Sequence, residues 1–210
     1  MRIAILTFDG FNELDSFIPL GLLNHLSASG WKAEITSPAA HVTSMNGLTV
    51  QAQQPLEFAN QADAVIFGGG LYARVLAHNS AMLDRLQLDP LRQLIGAQCS
   101  GALLMARLGL LADLPACTDI ATKPWLIEAG VRVDDAPFHA RGPIATAGGC
   151  LASQYLATWM MVRGAGLTAA TQALHSAAPV GDKDAYVARL LDVVLPFIQP
   201  DAASAPRDQR

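Results

Sequence analysis

Cys99 is the residue whose type and setting point most directly to chemistry. It stands in Ala97-Gln98-Cys99-Ser100-Gly101, between an apolar stretch that begins at Leu94 and an apolar run that ends at Leu111. A nucleophile with small residues two positions away on either side, at a strand-to-helix junction, is the pattern of a nucleophile elbow. The tight turn forces the backbone of the nucleophile into a strained conformation. Only small neighbours avoid collision there, and Ala97 and Gly101 supply them. The sulfur would sit at a helix N-terminus, where the dipole and free N–H groups favour a thiolate. The competing reading is a buried structural cysteine, since free Cys is among the most buried residue types.

Two further segments carry groups that such a nucleophile needs. Gly68-Gly69-Gly70 follows the apolar run Ala64-Val65-Ile66-Phe67. Its backbone N–H groups can approach a substrate closely because no side chain intervenes. One of them, with the N–H of Ser100, could form an oxyanion pocket; the alternative is an ordinary tight turn. A phosphate loop is disfavoured, because the run lacks both the Lys-Ser/Thr of a P-loop and dinucleotide spacing. The acidic loop Asp9-Gly10-Phe11-Asn12-Glu13-Leu14-Asp15 follows the first apolar run. Asp15 reads as a helix N-cap, or as a carboxyl group beside Cys99. In the second case the pair is stable when the carboxyl keeps its proton and donates a hydrogen bond to sulfur, so both titrations belong to the pair.

These segments need a scaffold, and the patterning of the chain predicts one. Residues 2–8, 31–37, 62–67 and 94–98 read as strands, and further strands are expected near 131–140 and 143–147. Helices are predicted over 15–28, 71–88, 100–111, 123–129, 150–164 and 182–198, with Pro19 in the first turn of the first helix. Val42–Val50, with Asn46-Gly47 at its centre, reads as a hairpin. Strands alternating with helices imply an α/β fold: a mostly parallel sheet with helices on both faces. Sites in such sheets form at the carboxyl ends of the strands. That rule selects Asp9–Asp15, Gly68–Leu71, Gln98–Gly101 and Ala147–Cys150. Residues 1–198 read as a single domain, and the tail from Gln199 to Arg210 as disordered.

Composition narrows the partners. The chain has 210 residues, 51% of them hydrophobic and 15% charged, with a formal charge of −4. No basic stripe is available to neutralise phosphates, so nucleic acid is an unexpected partner. No segment is apolar for long enough to span a membrane. The low charge hints that a second subunit covers some apolar surface. The cysteines Cys99, Cys117 and Cys150 show no close metal-binding spacing, which fits free thiols in a reducing cytoplasm and no metal. Cys117 and Cys150 read as structural or incidental, although Cys150, after Gly148-Gly149, falls within reach of the same strand ends.

Taken in order, these motifs resemble the ThiJ/PfpI superfamily, relatives of the class I glutamine amidotransferase domain and of the parkinsonism-associated deglycase. The resemblance rests on Gly10–Asp15, Ser44–Leu48, Phe67–Gly70, Ala97–Ala102 and Thr146–Gly149. Leu14-Asp15-Ser16-Phe17-Ile18-Pro19 is similar to the Leu-Asp-x-x-Gly-Pro of the isonitrile hydratase branch, with Ile18 in place of Gly. The resemblance implies a flavodoxin-like sandwich with Cys99 as nucleophile and Asp15 as the acid bonded to it. It implies an oxyanion or substrate pocket from Gly70 and Ser100, with Gly69 and Thr118 beside them, and no cofactor. Many relatives carry a His in the loop that here reads Ala116-Cys117-Thr118-Asp119; the His position is Asp119. A Cys-His protease is therefore unsupported. Asp119 is either a second acid/base or a residue that caps the next helix or pairs with Arg141 or Lys123. None of His25, His41, His78, His139 and His175 falls in a family motif; His139 could approach a site but reads as structural. Trp31, Trp125 and Trp159 read as core or interface residues, with Lys123-Pro124-Trp125 as a candidate pocket rim. The implied activity is a cysteine-dependent hydratase or hydrolase acting on a small electrophilic carbon, isonitrile hydration foremost, in a cytoplasmic homodimer. The alternatives are a redox or stress sensor, a glyoxalase- or deglycase-like enzyme using the same cysteine, and a non-catalytic ligand-binding domain.

Overall fold

A computed structural model describes residues 1–198; the tail reading for 199–210 lies outside the described residues. In chain order the elements are β1 (Arg2–Leu6), α1 (Glu13–Asn24), β2 (Lys32–Ser37), β3 (His41–Thr43), β4 (Thr49–Gln51), β5 (Gln54–Pro55) and β6 (Ala64–Phe67). There follow α2 (Ala73–Leu76), α3 (Ser80–Leu83), β7 (Leu94–Gln98), α4 (Ala102–Arg107), α5 (Lys123–Glu128), β8 (Phe138–Arg141) and β9 (Ile144–Ala147). The chain then continues through α6 (Ser153–Ala165), α7 (Leu167–Ala177) and α8 (Lys183–Val194).

Seven strands form one sheet in the order β5-β2-β1-β6-β7-β9-β8, and β3 and β4 form a separate antiparallel hairpin. Every pairing in the large sheet is parallel except β8 with β9. This is the mostly parallel α/β sheet that the alternation of strands and helices predicts, in the flavodoxin-like form that the resemblance implies. Its cause is visible in β1, where Ile3, Ala4, Ile5 and Leu6 are all fully buried. Successive strand side chains point to opposite faces, so such a run needs apolar cover on both. Ile3 and Ile5 enter one layer with Leu23, Leu156 and Trp159; Ala4 and Leu6 enter the other with Leu56, Phe67 and Leu104. Each large aliphatic side chain removed from water contributes about 1.5–3 kcal/mol. At Gly96 a Cβ would come within 2.5 Å of Leu156 Cδ1, so the bare glycine lets α6 lie close against β7. No helix among the described residues is long and apolar enough to cross a membrane.

Several boundaries differ from expectation. The segment predicted as one helix over 71–88 is two short helices, because Asn79 interrupts it and caps α3, its side chain accepting from the Met82 N–H at 3.1 Å. The helix after the elbow stops at Arg107, two residues before Gly109 takes φ +74°. Helix α7 has no counterpart in the sequence reading. Its buried stripe is Ala170, Ala173 and Leu174, spaced for a helix but made mostly of alanine, and Gly166 at φ +83° separates it from α6. The strand expected from residue 131 begins at Phe138, and β5 is a two-residue addition at the sheet edge. Helix α1 starts two residues early, so Pro19 lies past its first turn and gives no N–H to the Asp15 carbonyl.

Candidate active site

The carboxyl ends of β1, β6, β7 and β9 meet on one edge of the sheet. Here Gln98 is extended (φ −111°, ψ 132°), Cys99 turns to φ +53°, and Ser100 and Gly101 begin the helical turn that leads into α4. A left-handed backbone at a non-glycine residue costs about 1–2 kcal/mol, so the surroundings must hold it. They do so in two ways. The Thr118 hydroxyl donates to the Cys99 carbonyl at 2.9 Å. Gly101 lies so close to the Phe67 carbonyl that any Cβ would overlap its oxygen. The elbow read from the sequence is therefore present, with Gly101 needed for a backbone-to-backbone approach.

Two carboxyl groups flank the sulfur. Cys99 Sγ donates to Asp119 Oδ2 at 3.4 Å. The other oxygen, Asp119 Oδ1, accepts from the N–H groups of Ala121 and Thr122 at 2.9 and 3.0 Å. One oxygen thus shapes the turn that leads to α5, whose N-cap is Thr122 and not Asp119, while the other faces the thiol. Pairing with Arg141 or Lys123 does not occur among the described residues. Asp15 lies on the other side, fully buried, with no well-formed hydrogen bond to either oxygen. It is not the N-cap; Asn12 caps α1 by accepting from the Leu14 N–H at 3.0 Å. Freed from that role, the Asp15 carboxyl is pushed up to about 6, chiefly by burial, with the two nearby sulfurs opposing. Burial, then the charges of Asp15 and Asp119, push the Cys99 thiol up as well. The expectation of a stabilised thiolate is overturned for the resting site. A buried sulfur between two carboxyls keeps its proton, and the favourable helix terminus does not offset that.

Cys150 completes the cluster. One ligand-type atom from each of Asp15, Cys99 and Cys150 lies within 4.8 Å of the others. A carboxylate with two sulfurs is a donor set of the type that thiophilic cations accept. The sequence shows no metal spacing because the three residues come from three separate loops. Asn12 Nδ2 donates to Cys150 Sγ at 3.3 Å, and Gln98 Nε2 donates to the Gly149 carbonyl at 2.5 Å, fixing the turn that carries Cys150. Gly69 lets these groups converge, since a Cβ there would overlap Asp15 Oδ2 and approach Ser100 Oγ to 2.9 Å.

The cluster opens into a cleft of about 310 Å³ lined by Met45, Leu71, Ala121 and Trp125 as well as the polar residues. The hairpin holds Met45 over it: Met45 N–H donates to the Phe11 carbonyl at 2.9 Å, and Glu13 accepts from Ser44 and Asn46. Trp125 is the part of Lys123-Pro124-Trp125 that reaches the cleft, and it stacks beneath the Arg74 guanidinium at 5.1 Å. Trp31 and Trp159 are core residues, as read. The Ser100 N–H sits in the first helical turn, where no intrahelical acceptor exists. The Gly70 N–H instead donates to Ser100 Oγ at 2.9 Å, so in the resting site it acts through that hydroxyl. Thr118 serves the elbow carbonyl. His139 is remote, paired with Asp134 at 3.3 Å and packed on Phe197. Cys117 is buried, its thiol pushed up to about 12 by that burial. Cys150 and Asn12 are the members that sequence reasoning did not assign to the site. The signal for Cys150 was its place after Gly148-Gly149 at the end of a strand that proves to neighbour β7.

Comparison with known proteins agrees with this architecture. None of the curated proteins is similar enough in sequence to match. Among solved structures, DJ-1 from Schizosaccharomyces pombe superposes with a TM-score of 0.72 at 16% identity, covering 85% of this chain and all (100%) of that one. A ThiJ/PfpI family protein from Pseudomonas syringae gives 0.74 at 20% identity, covering 92% and 87%. A DJ-1 superfamily protein from Salmonella typhimurium gives 0.70 at 23%, covering 85% and 98%. At these identities the likeness concerns the fold. The family profile goes further: the DJ-1/PfpI family matches residues 1–161, most of the chain and every strand of the site, and the chain belongs to that family.

Proposed function

We propose that the protein is a cysteine-dependent enzyme acting on a small, neutral, electrophilic carbon, with an isonitrile as the first substrate to test. The observation that carries this reading is the position of Cys99: on a left-handed elbow, between the carboxyls of Asp15 and Asp119, facing an apolar cleft. Two carboxyls in a cleft of low polarity disfavour anionic substrates by desolvation and repulsion. Hydration of an isonitrile needs a nucleophile and a proton delivered to the same carbon. Asp119 accepts the thiol proton as Cys99 Sγ bonds to the terminal carbon. Asp15, which holds its proton up to about pH 6, protonates that carbon and gives a thioimidate. Water adds to the thioimidate carbon, the C–S bond breaks, and an N-substituted formamide leaves. Negative charge formed on the way develops near the Ser100 N–H.

An α-ketoaldehyde would use the same nucleophile and is the second substrate to assay. The test is turnover of a short alkyl isonitrile and of an α-ketoaldehyde by the wild type and by Cys99→Ala. Turnover of either that drops at least ~10³-fold in the variant supports the reading. Full turnover by Cys99→Ala, or none by the wild type, refutes it. Met45 and Leu71 line the cleft and are exposed, Leu71 at 58%, and Leu14, Leu48 and Leu151, each exposed as well, stand in the loops that carry Asp15, Met45 and Cys150. We assign this apolar rim to the contact between two copies of the chain.

A further inference from the structure

We infer that Cys150 is a resolving cysteine: a hydroperoxide oxidises Cys99, and Cys150 closes a Cys99–Cys150 disulfide that reversibly switches the site off. This is independent of which carbon electrophile the site turns over. The two sulfurs lie within 4.8 Å of each other and of the Asp15 carboxyl, although the residues are far apart in sequence. A disulfide brings its sulfurs to ~2.05 Å, a gap that side-chain rotation and a small loop shift can cover. Gln98 holds the carbonyl side of the turn, so the movement falls on the Cys150 and Cys99 side chains, with room at Gly149, which is at φ +87° and meets nothing around its Cα. Cys99 lines the cleft, and Cys150 is partly exposed.

The chemistry uses groups already at the site. Cys99 sulfur attacks the distal oxygen of the hydroperoxide; an S–O bond forms and the O–O bond breaks. The sulfur loses two electrons, the peroxide gains them, and the departing alkoxide leaves as an alcohol with the proton from Asp15. Cys99 is then a sulfenic acid and the thiol proton rests on a carboxylate. Cys150 sulfur next attacks the sulfenic sulfur, the S–S bond forms and the S–O bond breaks. The hydroxide departs as water with the Cys150 proton. Asn12 Nδ2, 3.3 Å from Cys150 Sγ, stabilises negative charge on that sulfur as it attacks. Any external dithiol restores the two thiols. Without Cys150 the sulfenic acid would persist beside two carboxyls and meet a second peroxide, giving the sulfinic acid.

The test treats the reduced full-length protein with hydrogen peroxide, alkylates free thiols, and reads intact mass and peptide maps. The expected wild-type product has lost the mass of two hydrogen atoms. It yields a single Cys99–Cys150 linked peptide within one chain, leaves Cys117 alkylatable after denaturation, and reverts with dithiothreitol. Cys150→Ser should instead gain the mass of two oxygen atoms on Cys99 on the order of tenfold faster than the wild type. Cys150→Ala should behave the same way, which removes any effect of the new hydroxyl. Equal rates of sulfinic acid formation in wild type and both variants would overturn the inference. So would a disulfide that joins two chains or involves Cys117, or a Cys99 that stays reduced.

Discussion

Replacing Asp15 with asparagine should stabilise the protein at neutral pH and do so in a pH-dependent way. The carboxyl is fully buried, and burial moves its pKa from 3.8 to about 6. An acid whose folded pKa lies above its unfolded value holds its proton longer in the folded state. Its contribution to stability is therefore intact below pH 3.8 and is lost as pH rises to about 6. The displacement is about 2.2 pH units, and each unit is ~1.4 kcal/mol, so ionised Asp15 costs ~3 kcal/mol at pH 7.5. The asparagine amide cannot ionise and escapes that cost. The advantage of Asp15→Asn over the wild type should be ~3 kcal/mol at pH 7.5 and shrink to ~0.5 kcal/mol at pH 4. For a chain of this size that is a rise of ~6–12 °C in Tm at the higher pH. The assay is urea or thermal unfolding of both proteins at several pH values between 4 and 8. Groups common to both proteins cancel in the difference. The same variant should lose turnover, because the proton donor beside Cys99 is gone. A stability difference that stays constant across the pH range would refute the reasoning, since the buried carboxyl would then not be titrating.

Asp119→Asn removes one of the two negative charges that hold the Cys99 thiol up, so iodoacetamide should alkylate Cys99 faster at pH 7, on the order of tenfold; an unchanged rate would separate Asp119 from the sulfur. Gly101→Ala drives a Cβ into the Phe67 carbonyl, a backbone atom that cannot turn away, and should cost ~2–4 kcal/mol in urea unfolding. Light scattering should find a dimer that Leu71→Glu converts to monomer, because the charge falls in the apolar rim; a wild-type monomer at micromolar concentration would contradict the rim assignment.

The parts of the fold that could be read along the chain are those whose local pattern has one solution. β1, β6 and β7 are short and almost wholly buried, which only a strand covered on both faces satisfies. Cys99 was legible for a similar reason: Ala97 and Gly101 at the two flanking positions serve no purpose in an ordinary turn. Helix α7 and the break at Asn79 were harder to read, because the buried stripe of α7 is mostly alanine and the break is set by a side-chain cap rather than by periodicity. The tail beyond Ile198 lies outside what can be compared.

The amino-acid sequence by itself determined the class of the sheet, the elbow and the cysteine that sits on it, since these follow from residue sizes and spacing within single segments. Tertiary structure alone decided the surroundings of that cysteine. It moved the N-cap from Asp15 to Asn12, leaving a buried carboxyl beside the thiol. It turned one oxygen of Asp119 to the sulfur and gave the other to the loop. It carried Cys150 from the end of β9 to within reach of Cys99. Proton affinity and redox partnership depend on burial and on distances of a few ångströms between loops. Those distances arise only once parallel strands far apart in sequence lie side by side.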